Sequence, residues 1–206
     1  MAQILAKTGR RLPASARRDH LLDVAAAVLL ESGFEALTME AVKERAGVSR
    51  GLAYVHFANA DELAFALYER EVAELDRRIA EVKTIEGTFE DRVRLAMRIY
   101  FDFAKERGGV LSILQIKLTG RWSNAKALEA LDRRFKFWSD EIERELGLPA
   151  SVAGPLARAA VTAVESFATA WRTKKLGRRE AEEMARAFAL GGVRAAVAAH
   201  LATKKS

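Results

Sequence analysis

The segment from Thr38 to Phe57, TMEAVKERAGVSRGLAYVHF, constrains the fold more tightly than any other part of the chain. Thr38 stands before Met39–Arg45, where its hydroxyl can cap a short helix, and Glu40 adds a negative charge to the first turn, which the helix dipole favours. Gly47 follows the last helical residue. The chain must turn sharply there, and a positive φ is cheap only for glycine. Ser49 can then cap a second helix. Val42, Ala46 and Val48 are small or branched apolar residues that can pack where the two helices cross. A helix, a tight glycine turn and a capped second helix predict a helix-turn-helix, a unit that holds a short helix out and can fit a DNA major groove. An ordinary helical hairpin inside a core is the alternative that this local pattern leaves open.

The rest of the chain reads as helix as well. Its three prolines mark edges: Pro13 before the first helix, Pro149 and Pro155 at the opening of a later one. Gly33, Gly47, Gly108, Gly109, Gly120, Gly147 and Gly177 fall at breaks. These divisions predict about nine helices, over 15–32, 38–45, 49–56, 60–83, 87–107, 109–118, 123–146, 150–175 and 178–203. No run alternates strictly with β-branched enrichment, so no sheet is expected and the fold class is all-α. Helix 60–83 follows the helix-turn-helix directly. Leu63, Ala64, Leu67, Val72, Leu75 and Ile79 give it one apolar stripe, so it is expected to link the two parts of the chain mechanically.

With 206 residues the chain can form one small and one medium domain. Half of the residues are hydrophobic and 30% are charged, which suits a folded protein. The longest apolar runs, such as Val24–Leu30, fall far short of the roughly 18 residues of a membrane span. No signal-peptide pattern stands at the N-terminus. The absence of cysteine excludes disulfides, thiolate metal sites and a cysteine nucleophile. A cytoplasmic location without membrane contact is the expectation. Of the net charge of +6, residues 1–18 supply most, through Lys7, Arg10, Arg11, Arg17 and Arg18 with no acid. A basic arm over residues 1–14 can follow a phosphate backbone or enter a minor groove; a floppy solubilising tail is the alternative for residues 1–12. Arg17 and Arg18, fixed at the first helix, are expected to touch phosphate.

The residues flanking the turn sharpen the picture. RDHLLDVAA from Arg18, the glycine stop in ESGF from Glu31, Thr38, AGVS from Ala46, then Gly51, Tyr54, His56, Phe57 and DEL from Asp61 resemble the N-terminal DNA-binding region of the TetR family of transcriptional regulators. The pattern departs at Leu37, Lys43, Ala53 and Ala60, where the family often has threonine, alanine, leucine and lysine. The resemblance implies a helix-turn-helix domain over 15–58 and an effector-binding and dimerisation domain over 59–206. It also implies a one-component regulator, usually a repressor. Arg50 and Leu52 are the candidates for base contact: arginine can bind guanine in two places, and leucine can rest on a thymine methyl. Family positions imply that Thr38, Ser49, Tyr54 and His56 touch phosphates and so position the helix, with Gly51 part of the same surface.

In the C-terminal part, large apolar residues crowd 87–146. Phe89, Val93, Met97, Tyr100, Phe101 and Ala104 share overlapping faces; Leu128, Leu131, Phe135, Trp138 and Ile142 recur at helical spacing. A filled core explains any one of them. The resemblance implies that some line an effector pocket, for which Met97, Tyr100, Leu111, Leu114, Gln115, Phe135, Trp138, Phe167 and Trp171 are the candidates. Gln115 and Tyr100 would be its polar orienting groups. The last two helices are rich in small residues, which lets helices approach closely. Ala160, Val164, Phe167, Phe188, Gly192, Val193 and Ala196 are the candidates for a four-helix dimer interface, and a close crossing is expected to offset the mid-helix pair Gly191-Gly192.

Chemistry finds little support. His20, His56 and His200 are far apart, with no metal-ligand spacing, and no cofactor is expected. The carboxylate pairs Glu182-Glu183 and Glu141 with Glu145 read as solvated helix surface. The resulting expectation is a dimeric regulator that binds a palindrome-like operator in double-stranded DNA and responds to a small apolar ligand. Two alternatives stand beside it: a DNA-binding protein of the same fold governed by a protein partner, and a helical enzyme that has kept the fold.

Overall fold

The structure is a computed structural model; it describes residues 13–118 and 125–203, and of residues 118 and 125–134 the backbone alone. The described residues are all-α, with nine α-helices. They are α1 (Ala14–Ser32), α2 (Met39–Ala46), α3 (Arg50–His56), α4 (Ala60–Ile79), α5 (Phe89–Glu106), α6 (Val110–Leu118), α7 (Ala125–Leu146), α8 (Ala150–Arg172) and α9 (Arg178–Thr203). Lys7, Arg10, Arg11 and Gly120 lie outside the described residues, as do the side chains of Leu128 and Leu131. The chain divides between Leu67 and Tyr68 into two compact units.

In the first unit the row Leu21, Leu22, Ala25, Val28 and Leu29 turns one face of α1 into the core. The helix stops at Gly33, whose φ of 83° suits glycine, and Phe34 then drops into the core on a 3-10 turn. Leu37, where the family often has threonine, is buried there as well. α1 packs on α2, and α2 on α3. The residues that close this core are Val42, Ala53 and Phe57, with Leu63, Ala64, Ala66 and Leu67 of α4.

In the second unit α8 is the central strut, packed on α7 and α9, while α5 touches both α8 and α9. Alanines make this possible. Ala153 and Ala157 of α8, and Ala181, Ala185 and Ala189 of α9, are buried at four-residue spacing, so the two backbones approach closely. Ile142, Leu148 and Val193 join them, with Phe89, Trp138 and Leu156 packed around the edge. Val193, a candidate for a chain–chain contact, is therefore used inside the chain. Pro155 sits within α8 rather than at its opening.

Two helices end three or more residues short of the sequence expectation. α4 runs only to Ile79, and residues 80–83 tighten into a 3-10 turn. α8 ends at Arg172, three residues early, because Lys174 takes up the left-handed region at φ 59°. The Lys175 N–H then bonds the Ala170 carbonyl, and the Lys174 N–H that of Trp171, so the last turn is closed without glycine.

Candidate functional site

The helix-turn-helix is built from caps. The Thr38 hydroxyl accepts the Ala41 N–H at 3.1 Å and starts α2. Gly47 closes it in the left-handed region at φ 66°, and its N–H meets the Glu44 carbonyl at 3.2 Å. The Ser49 hydroxyl accepts the Leu52 N–H at 3.3 Å and starts α3. Asn59 does the same for α4, taking the Glu62 N–H at 2.8 Å, while the Glu62 carboxylate accepts the Ala58 N–H at 2.6 Å. Each cap uses an oxygen lone pair and leaves both hydroxyl protons, on Thr38 and Ser49, free to be donated outward.

α3 has one anchored face. Ala53 and Phe57 are each 1% exposed and hold the helix to the core, with Leu52 and His56 half-buried beside them. Arg50, Gly51, Tyr54 and Val55 are exposed on the other side. The Arg50 guanidinium lies 5.4 Å from the Tyr54 ring centroid, and that of Arg18 lies 5.1 Å from the Phe57 ring. Arg18 is exposed and Arg17 half-buried. Charge pairs brace the frame around α3. Arg45 forks onto Glu31 and holds that carboxyl below its ordinary range, while Lys43, whose stem is half-buried, turns its ammonium out to Glu40.

The second unit contains a half-open cavity of about 710 Å³. Its walls are largely apolar, from Leu75 and Ile79 of α4, Val93, Met97 and Tyr100 of α5, Trp138 of α7, Ala160 and Val164 of α8, and Leu190 of α9. Lys83, Lys136, Asp140 and Arg144 add charges. Glu141 and Arg144 of the lining belong to an ion-pair network. Arg92 donates to Glu141 at 2.7 Å, to Glu145 at 2.6 Å and to the Gly87 carbonyl at 2.9 Å, and Arg144 reaches Glu141 at 2.6 Å. Arg92 and Glu141 are buried, so Glu141 is not the solvated surface that the sequence suggests, whereas Glu145 is exposed as expected. A second cavity, of about 590 Å³, is bounded by Ser112, Gln115, Phe135, Arg158, Thr162 and Thr169, and Glu165 borders both.

The sequence of the first unit also matches a known family. The model of the bacterial regulatory proteins of the tetR family matches residues 21–67, ending where the first unit ends. The first unit belongs to the tetR family. It is similar to the HTH-type transcriptional activator FasR of Mycolicibacterium smegmatis, 34% identical over 97 residues that make up 47% of this chain and 44% of that protein. It is also similar to the fatty acid metabolism regulator protein of Bacillus subtilis, 21% identical over 56% of this chain and 59% of that one. The chain thus spans about half the length of the curated relatives it matches. Its fold is similar to that of a TetR-like transcriptional regulator from Rhodococcus sp. RHA1, with a TM-score of 0.67 and 19% identity over 89% of this chain and 99% of that one.

The candidate pocket residues separate into four groups. Met97, Tyr100 and Trp138 line the larger cavity, and Gln115 and Phe135 the smaller. Leu111 and Leu114 are core residues, at most 1% exposed, and line neither. Trp171 stacks on Phe101 at 5.6 Å, and Phe167 meets Phe188 at 6.3 Å. Of the interface candidates, Ala160 and Val164 face the larger cavity together with Val193. Phe188 and Gly192 are exposed, and Phe167 and Ala196 half-buried. A Cβ at Gly191 or Gly192 would meet nothing within 4 Å, so no close crossing within the chain explains these glycines. Val55, not among the sequence candidates, is exposed as well, and the helical period counted back from Phe57 and Ala53 is the signal that places it outward. Among the described residues no group of three or more His, Asp or Glu could hold a metal, and no helix is long and apolar enough to cross a membrane.

Proposed function

We propose that this chain is a dimeric transcriptional regulator that binds a palindrome-like operator and responds to a small, largely apolar effector. The observation that carries this reading is α3 itself: a short helix, capped by Ser49 and anchored through Ala53 and Phe57, with Arg50, Gly51, Tyr54 and Val55 turned outward. Such a helix suits a major groove. Arg50 is assigned to a guanine edge, with Leu52 beside it. Thr38, Ser49, Tyr54 and His56 donate to phosphates, Gly51 admits the backbone closely, and Arg17 and Arg18 add phosphate charge. Residues 15–58 form the DNA-reading part in this assignment, and 59–206 the effector-binding and dimerising part.

The effector is assigned to the larger cavity, whose volume and apolar walls suit a drug-sized molecule. One relative is named a regulator of fatty acid metabolism, so long-chain acyl compounds are the first class to test. The dimer is assigned to the open side of α9, where Met184, Phe188, Gly191, Gly192 and Ala195 are exposed. Each mid-helix glycine costs about 1 kcal/mol relative to alanine, and the close approach of a second copy would offset that. The effector acts by preferring one arrangement of the two reading helices. Moving the population from almost all bound to almost all free requires about 5.5 kcal/mol of differential affinity.

The test is selection of duplexes from a random pool, followed by light scattering of the complex and competition with acyl compounds. A palindromic consensus bound by two chains and displaced, or tightened, by an apolar compound supports the reading. No selected sequence would refute it. Selection without response to any compound class would leave control by a protein partner. A promoter fusion reads whether the regulator represses, as the family resemblance implies, or activates, as the name of the Mycolicibacterium relative states.

A further inference from the structure

We infer that Val55 reads a thymine, its methyl groups lying against the 5-methyl of that base in the major groove while Gly51 beside it leaves the helix surface bare. This rests on the assignment of α3 to DNA. Val55 is 78% exposed, more than any other large apolar side chain among the described residues. Nothing within the fold accounts for it. The inward positions of α3 are taken by Ala53 and then by Phe57 at its cap, and the helix turns about 100° per residue, which carries Val55 outward.

Gly51 lies four residues before Val55, so the two share one face. Glycine weakens a helix, yet a Cβ at Gly51 would meet nothing within 4 Å, and its φ is not one that demands glycine. Two neighbouring positions are therefore unexplained by packing, and both strip hydrogen-bonding groups from the outward face. Side chains without donors or acceptors, as at these two positions, cannot read the polar edges of base pairs. The apolar group that a major groove presents is the thymine methyl, and a branched aliphatic side chain fits it. The duplex is the occupant because α3, which carries both positions, is the helix assigned to DNA. Val55 lies beside Gly51, with exposed Arg50 and Tyr54 on the same helix and exposed Arg18 elsewhere in the unit.

The experiment uses the full chain and its selected operator. Each thymine is replaced in turn by uracil, which removes only the 5-methyl, and affinity is measured for the wild type, Val55→Ala and Val55→Thr. One thymine per half-site is expected to matter: its replacement weakens the wild type by about fourfold, the value of one buried methyl group. Val55→Ala binds the thymine and uracil forms of that position alike and keeps the wild-type response elsewhere. Val55→Thr keeps the shape and retains part of the discrimination. If the wild type tolerates uracil at every position, or Val55→Ala keeps full discrimination, the inference is overturned and the assignment of α3 stands. The uracil scan of the wild type needs no variant to fold. If the wild type selects no sequence at all, the assignment of α3 falls, and the inference with it.

Discussion

The helix-turn-helix and the ion-pair network between α5 and α7 both depend on polar side chains, but over different ranges of sequence. In the first, Thr38 bonds Ala41, Ser49 bonds Leu52 and Asn59 bonds Glu62, each three residues on, and all at the surface. In the second, Arg92 reaches 49 residues to Glu141 and 53 to Glu145, and the first of these pairs is buried. The reading surface thus stands on local contacts that water also competes for. The α5–α7 network stands on charges removed from water, whose value depends on every partner being present. A surface held by local contacts can alter one residue at a time; a buried network cannot lose one member cheaply.

The largest test of that contrast is Arg92→Ala. It leaves Glu141 buried without its main cation and is expected to lower stability by about 3–5 kcal/mol in urea unfolding. Replacing Arg92, Glu141 and Glu145 together by apolar residues of similar volume should recover most of the loss; equal damage from both variants would mean that shape, not charge, joins the two helices. Next comes Arg50→Ala, expected to relax preference at one base pair by about 1–3 kcal/mol in competition binding. Arg18→Ala should instead weaken all sequences alike and flatten the salt dependence by about 0.9 per lost phosphate contact. Loss of preference in both would contradict their separate roles.

Thr38→Ala removes one cap and should cost about 1 kcal/mol of stability, the scale of a local contact. A cost as large as that of Arg92→Ala would erase the difference between the two regions. Lys174→Gly relieves a left-handed residue and should stabilise the second unit by roughly 0.5 kcal/mol, read as a small rise in its melting temperature. The smallest effect is one of pH. The Thr88 hydroxyl and N–H hold the Asp91 carboxyl below its ordinary range. Its contribution is therefore present at neutral pH and fades as pH falls through that depressed value. Asp91→Asn should flatten this acid limb of the stability profile.

Much of the first unit was legible before any coordinates. Thr38, Gly47 and Ser49 act on neighbours within a few residues, so residue type and spacing alone placed α2, the turn and α3. The same local logic placed most helix boundaries in the second unit, failing where a non-glycine residue, Lys174, took the left-handed cap. It could not sort Leu111 and Leu114, which are core, from Met97 and Trp138, which line a cavity. All four are large apolar residues on helices, and what separates them is the presence or absence of a facing neighbour.

By itself, the sequence determined the helical class, the punctuation of the chain and the family of its N-terminal unit, because caps, glycine turns and apolar periodicity are written in consecutive residues. Only the tertiary structure decided that Glu141 is a buried partner of Arg92, that Val193 belongs to the core, and that Val55 rather than Leu52 is the most exposed aliphatic group on α3. Burial is a property of what packs against a residue, and those neighbours come from parts of the chain that no local pattern ties together.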